Sequence, residues 1–315
     1  MLSTQEKTYA ELKSFADNGK IAGSWLITGP FGVGKSTLVR TFCGYLLTGK
    51  SEPIDFHADL KWIERDYTED EKKEIIQTLN AGRELSDDAD RARKSEIAID
   101  DIRAGIQFLA LTSANKNWRI LVIDSADEMN ENAANALLKL LEEPPEHSVI
   151  FLISHNMGKL LPTIRSRCRQ VKLAPLSDVQ MKAFIMENYP SCENMNALLG
   201  FFNGSIGKCV QFFEANGEDV YQKMMQIASS TQPIGQAYAL AEAAAKDDTL
   251  YTLVKDLLQF YLLERIKQEN ENAALRQRVF DLWSASFELL RATEAVNLDK
   301  KSTLFEILLK LGELK

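Results

Sequence analysis

"SWLITGPFGVGKSTLVRTFCGYLL", residues 24 to 47, carries three kinds of segment in a row. "SWLIT" (24 to 28) is a short apolar run of strand type, and the spacing after it predicts a helix from Lys35 to about Leu47. Between them "GPFGVGKST" (29 to 37) fits G-x-x-x-x-G-K-[ST], and a strand before with a helix after is the setting in which that pattern cradles phosphate. Gly29, Gly32 and Gly34 permit positive backbone dihedrals and close approach, so successive N–H groups can surround phosphate oxygens. The helix N-terminus adds the positive end of its dipole. The expected nucleotide-binding set is Gly29, Pro30, Phe31, Gly32, Val33, Gly34, Lys35, Ser36 and Thr37. Lys35 neutralises the outer phosphates and Ser36 ligates magnesium. A glycine-rich turn without ligand is the plainer alternative.

Outward from that stretch, strand-like and helix-like segments alternate, as a parallel sheet with crossover helices requires. "DLKWIE" (59 to 64), "RILVID" (119 to 124), "VIFLIS" (149 to 154) and "RQVKL" (169 to 173) are the further strands, and "AIDDIRAGIQFLAL" (98 to 111) has the apolar spacing of a half-buried helix. Asp124 ends its strand where a carboxylate orients a magnesium shell. Ser125 follows where a hydrolytic site places a glutamate, a residue whose base catalysis contributes roughly 10²–10⁴ in rate. Asp127 and Glu128 are acidic neighbours that the turn should aim elsewhere. The charged segment from Tyr67 to Ser95 reads as a solvated helix and loop, with contact to a partner as the sharper alternative.

A net charge of -8 over 315 residues argues against a free-standing nucleic-acid binder that works through a basic surface. Cys43, Cys168, Cys192 and Cys209 lie far apart with no C-x-x-C pair, so reduced structural thiols are expected, without zinc. No run approaches the ~18 apolar residues of a membrane span and the N-terminus lacks a signal pattern, so no membrane contact and a cytoplasmic location are expected. Strand signals vanish from "APLSD" (174 to 178) onward, where Ser177 and Asp178 start a helix. The expected domains are a sheet-bearing phosphate-loop domain at 1–174, a small helical domain at 175–216 and an all-helical bundle at 217–315. In the bundle, Leu304, Ile307, Leu308 and Leu311 share one helix face.

"NAANALLKLLEEPPEHSVIFLIS" (132 to 154) followed by "LLPTIRSRCRQVKLAPLS" (160 to 177) resembles the clamp-loader branch of the AAA+ ATPases. The Leu-Leu-Glu-Glu-Pro-Pro run together with Ser-Arg-Cys is highly specific, and the likeness is strong from about Ser24 to Pro175. It implies an α/β P-loop AAA+ domain with a parallel sheet and flanking helices, then a small helical lid and an all-α C-terminal collar. It also implies a trans arginine finger at Arg167, which reaches the ATP of a neighbouring subunit; the alternative is an arginine paired with a local carboxylate. Ser154 matches the polar sensor beside the γ-phosphate, or is a serine that ends a strand.

The departures from that family fall on one chemical function. Gly207 stands where active subunits carry a second sensor arginine, Lys208 beside it faces another way, the cysteine cluster of many relatives is missing, and the segment upstream of the first strand is short. With Ser125, these imply that ATP and Mg2+, the latter on Ser36 and Asp124, are held weakly or vestigially. The resemblance then implies a largely passive ring member whose partners are gamma or tau motor subunits, the delta subunit and, through the complex, the sliding clamp and primed DNA. An ATP-hydrolysing gamma/tau-type motor subunit is the alternative reading.

Overall fold

The computed structural model describes residues 3–80, 93–111, 118–269, 272–296 and 298–314. Strands β1 (Gly23–Thr28), β2 (Leu60–Ile63), β3 (Arg119–Asp124), β4 (Ser148–Ser154) and β5 (Arg169–Lys172) form one sheet in the order β2-β3-β4-β1-β5, and every pair is parallel. Helix α1 (Ser3–Asp17) precedes the first strand; parallel neighbours need crossovers, and α2 (Lys35–Thr48), α3 (Glu69–Asn80), α4 (Ile99–Ala110), α5 (Glu131–Glu142) and α6 (Pro162–Arg165) lie in them. The two central apolar strands are buried on both faces. Val149, Phe151 and Ile153 enter one core with Trp25 and Phe42, while Ile150 and Leu152 enter another with Leu121, Ile123 and Leu137. This explains why β3 and β4 read as continuous apolar runs.

The helix expected at 98 to 111 spans Ile99–Ala110, but its buried line is Ile102, Gly105 and Leu109, with Ala110 exposed. Gly105 is there for contact: a Cβ on it would lie 2.8 Å from Ile63 Cδ1 and 2.9 Å from Leu121 Cδ1. The absent side chain lets α4 settle on β2 and β3. Of the charged segment 67 to 95, α3 forms its first half, and residues 81–92 lie outside the described ones. Lys72 and Lys94 both pair with Asp66 at the root of α3, a surface cluster.

The chain divides into two compact units, residues 1–177 with 204–207, and residues 178–203 with 208–315. The second is helical: α7 (Asp178–Asn188), α8 (Met195–Phe202), α9 (Ile206–Glu214), α10 (Gly217–Ser229), α11 (Ile234–Ala245), α12 (Asp248–Gln268), α13 (Ala273–Val296) and α14 (Lys300–Gly312). Two of its helix starts carry an aspartate cap. Asp247 accepts from the N–H of Thr249 and Leu250 at 2.8 and 3.1 Å, and Asp299 accepts from Ser302 N–H at 2.8 Å. Leu304, Ile307, Leu308 and Leu311 are all buried, as their shared face requires. Phe201, Phe202 and Phe212 form an edge-to-face aromatic cluster that fixes α8 and α9.

Candidate functional site

The glycine loop runs from the end of β1 into α2. Gly34 caps that helix in the left-handed region, at φ 85°, which leaves the first N–H groups of α2 without side-chain caps. Gln5, from α1, supports the loop from behind: its Nε2 donates to the carbonyls of Val33 at 3.2 Å and Gly34 at 3.1 Å. A Cβ on Gly34 would lie 1.9 Å from that nitrogen and push Gln5 off the loop, and the left-handed φ there already favours glycine.

Lys35 is 2% exposed, and its ammonium donates to Gly29 O at 2.8 Å, Pro30 O at 2.7 Å and His155 Nδ1 at 2.6 Å. Burial pushes its pKa from 10.5 down to about 8, against the pull of Asp124 and Asp127. Ser36 Oγ donates to Asp124 Oδ2 at 2.6 Å, and Ser125 Oγ lies 3.4 Å from Asp124 Oδ1. Lys35 and Ser36 on the glycine loop thus meet Asp124, 88 positions beyond Ser36 in the chain, at the C-terminal edge of the sheet. Of the two acids after Asp124, Asp127 accepts the backbone N–H of His155 at 2.9 Å and Glu128 pairs with Arg65 at 2.8 Å.

His155 is the site residue that sequence reasoning missed. It follows β4 by one position, its imidazole meets the Lys35 ammonium, and the exposed ring of Phe31 sits over it with centroids 5.0 Å apart. Burial, then the charge of Lys35, lowers its pKa, so the ring is neutral and Nδ1 accepts. Ser154, the expected sensor, is fully buried at the strand end, and its hydroxyl has no hydrogen-bond partner. The position of His155 just past a buried strand was a signal in the sequence, but the direction of its ring is set by Asp127 holding its N–H.

Gly207 lies against the glycine loop. Its N–H donates to Gly32 O at 2.8 Å, and a Cβ on it would stand 2.9 Å from Gly32 Cα. An arginine could not occupy this position without moving the loop. The Lys208 ammonium lies 3.7 Å from the centroid of Phe201. Arg167 follows α6 on the surface. Its Nε donates to Glu142 Oε1 at 2.7 Å, its Nη2 also pairs with that oxygen, and Nη1 donates to Thr163 O at 2.9 Å. Arg169 packs over the Trp25 ring instead, and burial lifts the Cys168 thiol to about 12, which makes it unreactive.

The oxygen pair of Ser36 and Asp124 suits a magnesium ion that takes its other ligands from water and phosphate, since one carboxylate and one hydroxyl are a usual protein share. No group of three or more His, Cys, Asp or Glu side chains that could hold a metal occurs among the described residues. Because the Lys35 pKa is lower folded than unfolded, the unfolded chain binds more protons between pH 8 and 10.5, so stability rises with pH there. We expect chemical denaturation to show this rise as larger in the wild type than in Lys35→Met by roughly 3 kcal/mol, since each tenfold change in proton affinity is worth about 1.4 kcal/mol.

A parallel sheet in this order, with a glycine loop after β1, an acid ending β3 and a helical unit following, has the AAA+ fold. A DNA polymerase III gamma subunit-related protein of Thermotoga maritima shares the fold at a TM-score of 0.51, with 21% identity over 99% of each chain. Residues 4–177 match the family described as "DNA polymerase III, delta subunit", and the chain belongs to that family. It is 31% identical over 190 residues to a DNA polymerase III subunit delta' of Pseudomonas aeruginosa, which covers 58% of this chain and 53% of the relative. To a DNA polymerase III subunit gamma of Buchnera aphidicola it is 27% identical over 223 residues, 69% of this chain and 57% of the relative. The chain spans about half the length of the curated relatives it matches.

Proposed function

We propose that this chain is a delta-prime-type subunit of the DNA polymerase III clamp loader, a largely passive AAA+ member of the ring that donates Arg167 to the ATP site of a neighbour. The observation that carries the reading is an asymmetry of side chains. Arg167 stands on the surface with its guanidinium accessible, while Ser125 offers Asp124 a hydroxyl where hydrolysis needs a second carboxylate. Gly207 on Gly32 supports it, because no cation from that position reaches the loop.

In this reading Gly29 to Thr37 bind ATP weakly or vestigially, with Lys35 on the outer phosphates and Ser36 and Asp124 on Mg2+. His155, where Ser154 had been expected, reads the outer phosphate. Lid and collar correspond to 175–216 and 217–315. The collar meets gamma/tau motor subunits and delta; an exposed aromatic row on α13, Phe280 and Phe287 flanking Trp283, supplies apolar surface for such contact. Through the complex the chain helps place the sliding clamp on primed DNA in the cytoplasm. Its own acidity is tolerable because neighbours bring the positive charge. No helix among the described residues is long and apolar enough to cross a membrane.

The second reading is a gamma/tau-type motor subunit, favoured by the contact between Ser36 and Asp124, which leaves the magnesium-orienting pair intact. Steady-state assay of the purified chain with ATP and Mg2+ separates the two. The passive reading expects turnover far below ~1 s⁻¹, the lower end of ordinary enzyme rates, and a rate near that value would establish the motor reading.

A further inference from the structure

We propose that Glu142 is the positioning residue for Arg167, the carboxylate that orders the guanidinium before it meets a nucleotide; the inference rests on the finger reading above. Glu142 is the last residue of α5, in "LLEEPP" (140 to 145), and Arg167 comes 25 residues later, after β4 and α6. Its Oε1 receives both Nε, at 2.7 Å, and Nη2, which occupies one edge of the guanidinium. Nη1 is held by the Thr163 carbonyl at 2.9 Å and lies 3.5 Å from Ser166 Oγ. A planar group held on one edge and at the far nitrogen keeps few rotamers, although the side chain is 32% exposed.

Local stability does not account for this carboxylate. A negative charge at a helix C-terminus opposes the macrodipole. An ion pair this exposed adds little to folding because water and salt screen it. What the pair does supply is order. An arginine that must stabilise charge on a phosphate held by another chain loses less conformational freedom on arrival if its direction is already set. One donor on Nη2 remains for a phosphate oxygen, and a second on Nη1 once the long 3.5 Å contact to Ser166 Oγ is released, since a guanidinium has five N–H groups and the shorter contacts use three.

The test uses the complex assembled with gamma-type motor and delta subunits, in which only the motor site adjoining this chain is left competent. Glu142→Ala should lower kcat for ATP hydrolysis roughly 10-fold with KM unchanged, the mark of lost orientation rather than lost binding. Glu142→Gln, which keeps an oxygen acceptor, should fall between. In the isolated chain, the Arg167 Nε–H should exchange slowly with water by NMR and become fast in Glu142→Ala, while the melting temperature stays put. A full or raised kcat in Glu142→Ala, with Arg167→Ala slow, overturns the positioning role and leaves the finger standing. An Arg167→Ala complex at full rate instead removes the finger reading. Fast exchange already in the wild-type chain also overturns the positioning role.

Discussion

Under the proposed finger role, Arg167→Ala is expected to slow ATP hydrolysis at the adjoining motor site of the reconstituted complex by about 10³-fold, the lower end of what an arginine finger supplies in trans. Hydrolysis spreads negative charge over the transferred phosphoryl oxygens, and a guanidinium placed there opposes that charge inside a site that excludes water. Because Arg167 is a surface residue whose loss frees only the Glu142 carboxylate and the Thr163 carbonyl to water, the isolated variant folds normally and enters the complex. Arg167→Lys does not rescue, since an ammonium cannot reproduce the two-nitrogen edge. Single-turnover hydrolysis together with the mass of the complex checks both halves. An unchanged rate in a correctly sized complex would remove Arg167 from the chemistry.

Phe151→Ala destabilises the sheet-bearing unit by about 3–5 kcal/mol, the range for removing a buried aromatic ring. Phe151 is the midpoint of β4, fully buried, paired in register with Trp25 on β1 and edge-on to Phe42 of α2 at 5.9 Å. Three elements lean on one ring, so collapse cannot refill the cavity cheaply. Since α2 starts at Lys35, the same change should loosen the glycine loop. Urea denaturation followed by tryptophan fluorescence reads the loss, and a shift below about 1 kcal/mol would mean that the site repacks.

Much of the site could be read from residue order. Lys35 and Ser36 follow from the spacing of the glycine loop, and Asp124 from the end of an apolar strand; a parallel sheet brings the C-terminal ends of its strands to one edge, so all three converge. His155 escaped because strand periodicity stops at Ser154, and the direction of the next side chain depends on Asp127 holding the backbone N–H there. Gly105 escaped for a related reason. A glycine inside a helix pattern reads as a weakness, whereas here it marks the spot where α4 touches Ile63 and Leu121.

Local chemistry along the chain is enough to decide the parallel sheet, the glycine loop, the helical second half and the missing acid at Ser125, because each depends on neighbours a few positions apart. Folding alone settles that Lys35 meets His155, that Gly207 presses against Gly32, and that Arg167 is held by Glu142. Those contacts join residues that the chain separates by 25 positions or more, and their geometry follows from how strands and helices pack rather than from any pattern in the letters.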